Sequence, residues 1–110
     1  MLAFPGVKVR ANNLIIQPSG NAVIVGSRNG QPGGNDFFMA RFNTSGQLDT
    51  SFGGNGLGYV NTDFGYNDSA YGITTAPLGG FLVSGILGGI YAVAKYTADG
   101  IPDSAFGVNG

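Results

Sequence analysis

The chain has 110 residues, a net charge of −1, no Cys and no His; its six acidic residues are all Asp, set against five basic ones. Five scattered cations cannot form the stripe that neutralises phosphates, so no nucleic-acid partner is expected. Without Cys there is no disulfide or thiolate metal site, and without His the commonest general base and metal ligand are missing, together with Ser-His-Asp and Cys-His constellations. Hydrophobic residues make up 43% of the chain and charged ones only 10%, with 21 Gly, eight Phe and five Tyr, a mixture that reads as strands joined by tight turns. No stretch approaches the roughly 20 apolar residues of a membrane span, so membrane insertion is not expected.

In chain order, the first strands are expected at Asn13 to Gln17, Ala22 to Ser27, Asp36 to Asn43 and Leu57 to Asp63. Turn chemistry separates them. Pro18-Ser19-Gly20-Asn21 closes the first hairpin, and Ser27 to Asn35 reads as a variable loop. Three further strands are expected at Tyr71 to Ala76, Phe81 to Leu87 and Ile90 to Thr97.

The order repeats itself, and a repeat must be found before a fold is assigned. Residues 40–56 return as 94–110 at an offset of 94 − 40 = 54, with seven of 17 positions identical. Residues 18–26 return as 77–85 at an offset of 77 − 18 = 59. The five-residue difference falls between the blocks, in the Ser27 to Asn35 segment, where a length change costs little. The reading is all-β: two four-stranded antiparallel units resembling propeller blades, residues 1–59 and 60–110, the line falling inside the fourth strand of the first. The last strand of the second unit is missing or is supplied by the N-terminus, because Met1-Leu2-Ala3-Phe4 sits where Val60-Asn61-Thr62-Asp63 sits in the other copy.

The strand Phe37-Phe38-Met39-Ala40-Arg41-Phe42 is apolar on both faces, and so is its counterpart around Tyr91 and Val93. A sheet with two apolar faces must be covered on both sides. Propeller blades meet this condition, but ring closure takes roughly 4–8 of them. Two blades leave faces bare, so completion by oligomerisation or by further repeats is expected, with Phe37, Phe38, Met39, Tyr91 and Val93 as interface candidates.

Gly46, Asp49, Phe52 and Gly53 recur as Gly100, Asp103, Phe106 and Gly107. Asp49 and Asp103 could in principle act as a carboxylate pair or contribute to a Ca²⁺ site. Their equivalence is better explained by a turn in which the carboxylate accepts from backbone N–H groups two residues on. Arg41 and Lys95, also equivalent, are expected to pair with a nearby Asp or to cover an aromatic ring. Gly53 to Gly58 lacks the Lys-Ser/Thr and helix of a phosphate cradle. No catalytic residue, metal site or cofactor is expected, and the chain is not expected to be an enzyme. Tyr66, Tyr71 and Tyr91 could stack on a sugar, which keeps a glycan- or peptide-binding module as the alternative to a structural one.

The run Arg41-Phe42-Asn43-Thr44-Ser45-Gly46-Gln47-Leu48-Asp49-Thr50-Ser51-Phe52-Gly53 resembles the signature of the delta-60 repeat family. Gln17-Pro18-Ser19-Gly20-Asn21-Ala22-Val23-Ile24-Val25-Gly26 is similar to its upstream hairpin, with Ser19 and Asn21 where the family usually has Asp and Lys. The second copy departs further, with Pro102 in place of Leu. The resemblance implies tandem propeller-like repeats in large bacterial surface or secreted proteins, hence an extracellular location with no signal in this chain, and it brings no catalytic residues. The expected partners are further copies of the chain or adjacent repeats.

Overall fold

The computed structural model describes residues 8–31, 34–63, 67–77 and 79–106. Regular structure among them is entirely β: β1 (Lys8–Ile16), β2 (Ala22–Gln31), β3 (Gly34–Phe42), β4 (Tyr59–Thr62), β5 (Asp68–Thr75), β6 (Phe81–Leu87) and β7 (Ile90–Tyr96). Strands β1 to β4 form one antiparallel sheet in chain order, and β5 to β7 form a second. These are two meander sheets consistent with blade-like units, as the composition and turn spacing predict. The change of sheet falls between Thr62 and Asp68. Met1 to Phe4, expected in the place of a fourth strand, lie outside the described residues.

The segment from Ser27 to Asn35, read from sequence as loop, is mostly hairpin stem. β2 pairs with β3 through Ser27↔Phe37 and Arg28↔Asp36, and again at Gln31↔Gly34 beyond an irregularity. Turn-type side chains do not prevent ladder formation when an adjoining apolar register already holds the two backbones together. For the same reason β1 starts at Lys8 and not at Asn13: Lys8 to Ala11 pair with Gly26 to Asn29 of the lengthened β2.

The repeat is written in backbone hydrogen bonds. Gly46 N–H donates to the Asn43 carbonyl and Asp49 N–H to the Arg41 carbonyl; at an offset of 54, Gly100 donates to Thr97 and Asp103 to Lys95. Gln17 N–H donates to Asn21 and Gly20 to Gln17; at an offset of 59, Ala76 donates to Gly80 and Gly79 to Ala76. Both first strands carry a bulge at the equivalent position, Asn12 in β1 and Tyr71 in β5. Opposite each bulge stands a glycine. A Cβ on Gly26 would run into the Arg10 carbonyl oxygen, and one on Gly85 into the Ser69 carbonyl oxygen and the Phe37 ring, so both positions need the missing side chain.

The sheets stack face to face. The register puts Val23, Val25, Phe37, Met39 and Arg41 on the inner face of the first sheet, and Phe81, Val83, Ala94 and Tyr96 on the inner face of the second. Together with Phe52 and Ala70, the apolar members of these two faces form the main core. β5 provides most of the contact, lying across β1, β2 and β3. A smaller cluster of Phe38, Ala40 and Phe42, with Val9, Ile24, Leu48 and Tyr59 against it, occupies the outer side of the first sheet.

Candidate interaction face

The turns after β3 and β7 carry the repeat signature. In the first, the Asp49 carboxylate accepts from Ser51 N–H at 3.1 Å and from the Ser51 hydroxyl at 2.5 Å. In the second, Asp103 accepts from Ala105 N–H at 3.0 Å. Each aspartate therefore ties down the backbone two residues on. Asp49 also pairs with Arg41 at 2.8 Å, and Asp103 with Lys95 at 3.7 Å. The Ser51 hydroxyl, its N–H and the Arg41 guanidinium hold the Asp49 carboxyl below the usual carboxylate range, against an opposing effect of burial.

Arg41 joins the two sheets. Its guanidinium lies 4.8 Å from the centre of the Phe52 ring and its Nη1 donates to the Ala98 carbonyl of the second repeat at 3.1 Å. Phe52 is fully buried, stands edge-on to Phe81 with centroids 6.4 Å apart, and faces Gly100 so closely that a Cβ there would enter the ring. Gly53 N–H donates to the Asp99 carbonyl at 2.5 Å. Gly46 ends the β3 turn, Phe106 is half-buried, and Gly107 lies outside the described residues.

The interface candidates divide by face. Phe37 and Met39, each 2% exposed, are covered by the second sheet; Phe38, 1% exposed, belongs to the outer cluster. Their second-copy counterparts Tyr91 and Val93 are 89% and 55% exposed. With Tyr71, Ser84 and Ile86 they border an open groove of about 470 Å³ on the outer face of the second sheet. Tyr66, the third tyrosine considered from sequence, lies outside the described residues.

Sequence reasoning missed one cluster. Asp36, Asp63 and Asp68 bring carboxylate oxygens within 4.8 Å of one another where β3, the end of β4 and the start of β5 converge. Asn61 Nδ2 donates to Asp36 at 2.7 Å. The only sequence signal was the spacing of Asp63 and Asp68; Asp36 joins them through strand pairing. Asp49 and Asp103 are not part of it.

Two stacked antiparallel meanders with matching turns define a chain built of propeller-blade-like units. In keeping with that geometry, residues 17–52 match a family described as a domain of unknown function (DUF5122) beta-propeller. The matched stretch runs from the end of β1 to Phe52, and a β-propeller domain is thereby indicated. No curated protein and no solved structure matches the chain.

Proposed function

We propose that this chain is a non-catalytic structural module of the delta-60 repeat type, a pair of blades completed by further blades. These come from copies of the chain, in a ring or filament, or from adjacent repeats of a larger extracellular bacterial protein. One observation carries the reading: equivalent positions in the two copies differ in exposure according to whether another sheet follows. Phe37 and Met39 are 2% exposed beneath the second sheet, while Tyr91 and Val93 are 89% and 55% exposed, with no sheet over them among the described residues. An apolar face of that kind is a contact surface.

The test is the solution mass by light scattering across a concentration series. A discrete multiple of 11.2 kDa supports a closed ring and a broad, very large species supports a filament. A monomer at every concentration overturns self-assembly. A second reading, a glycan- or peptide-binding module, is favoured by the two exposed tyrosines, Tyr71 and Tyr91, bordering one groove. Folded protein giving no hits on a glycan array would remove the sugar version.

A further inference from the structure

Resting on the structural-module reading, we propose that a second copy of this chain docks head to tail, laying its β1 into the groove on the outer face of the second sheet. The argument is continuity with the interface inside the chain. That interface is heterologous: the face of the first sheet carrying Phe37, Met39 and Arg41 meets the opposite face of the second, carrying Ala94 and Tyr96, the counterparts of Ala40 and Phe42. A heterologous contact between equivalent units leaves one unused face of each kind, and those two faces fit each other.

Among the described residues the receiving face is open, and the docking face is open along β1. On the second sheet, the counterparts of Val25, Ser27, Phe37 and Met39 are Ser84, Ile86, Tyr91 and Val93, and these border the groove. Inside the chain the strand that seats on the corresponding surface is β5, whose Ile73 packs against the core. At the 59-residue offset the counterpart of β5 is β1, and that of Ile73 is Leu14. Leu14 and Ile16 point away from the core and are 56% and 59% exposed. The rest of that outer face, Phe38, Ala40 and Phe42, is already buried. β1 is therefore its open portion, as the internal interface requires of the docking strand. Among the described residues, the one charge on the receiving face is Lys95, which pairs with Asp103.

Leu14→Asp and Val93→Asp test this, since both side chains are exposed on outer sheet faces. Tyr91→Ser and Ile16→Ser serve as gentler versions, and unchanged circular dichroism and urea midpoints establish that each variant is folded. At a concentration where the wild type associates, each single variant is expected to run as an 11.2 kDa chain. An equimolar mixture is expected to form a 1:1 dimer, because each variant keeps the face that the other lacks. Leu14→Asp associating like the wild type would show that two receiving faces meet each other, and would overturn the head-to-tail order while leaving self-assembly standing. A mixture that stays monomeric overturns it equally. A monomeric wild type overturns the assembly reading, and this inference falls with it.

Discussion

Two aspartates in equivalent turns do unequal work. Asp49 and Asp103 make the same bond to the backbone two residues on, yet only Asp49 faces a buried cation: the Arg41–Asp49 pair has side chains 11% and 21% exposed, the Lys95–Asp103 pair 30% and 29%. Half-exposed pairs contribute ~0–1 kcal/mol, whereas stranding a buried charged donor costs about 1–3 kcal/mol. Asp49→Asn is therefore expected to destabilise the chain more than Asp103→Asn in parallel urea titrations. The pH dependence has a definite sign. Because the folded Asp49 carboxyl is lowered, chiefly by Ser51, its stabilisation is present above the ordinary carboxyl pKa and is lost as pH falls through the folded value. Asp49→Asn should flatten the acid limb of a plot of urea midpoint against pH, below about pH 4. An acid limb as steep as that of the wild type would show that Asp49 is not the group responsible.

At the scale of elements, β1 and β5 share a bulge but use it differently. The bulge re-aims one side chain out of the alternation. In β1 that side chain is Asn12, whose Nδ2 reaches across the sheets to the Ala70 carbonyl at 2.8 Å, beside Asn13 Nδ2 on the Tyr71 carbonyl at 3.2 Å. In β5 it is Tyr71, half-exposed at the groove. Asn12→Ala is expected to cost about 1 kcal/mol in urea unfolding, the net worth of one hydrogen bond. It should also speed amide exchange in β5 more than in β7. The bulge was not legible in the sequence, because neither Asn12 nor Tyr71 announces one. The strands were legible, through their Phe, Val, Ile and Tyr content between turn signals. Phe81 to Leu87 was legible to the residue at both ends, but the start of β1 and the end of β2 were not, because Lys8 to Ala11 and Arg28 to Gln31 become strand by pairing with each other and with β3.

At the scale of the whole molecule, the two sheets share one core, and Phe52 lies within it. Fully buried between Arg41, Phe81 and Gly100, it belongs to both repeats at once. Phe52→Ala is expected to cost about 3–5 kcal/mol, a large share of the stability of a domain this size, and to be read as a lowered urea midpoint. Tyr96 reports on the same junction from the other end. Its hydroxyl donates to Thr62 Oγ1 at 2.9 Å, and burial raises its pKa to about 12. A group so raised adds stability below the ordinary phenol value and loses it as pH rises through about 12. Ultraviolet titration should therefore show a late phenol that is absent from Tyr96→Phe. A tyrosine spectrum that titrates wholly in the ordinary range would mean that Tyr96 is not shielded between the sheets.

By itself the sequence determined the repeat, the all-β class, the two-residue Asp turns and the apolarity of both strand faces, because turn chemistry and side-chain alternation act within a few residues of their cause. Arg41 beside an Asp and an aromatic was readable in the same way. Which face became core was decided only by the tertiary structure. Phe37 and Tyr91 hold equivalent places in equivalent strands, and one is buried while the other is bare because a sheet follows the first and none among the described residues follows the second. The meeting of Asp36, Asp63 and Asp68 was decided there too. Burial and clustering depend on what lies across a gap in space, and no local pattern in the chain encodes that distance.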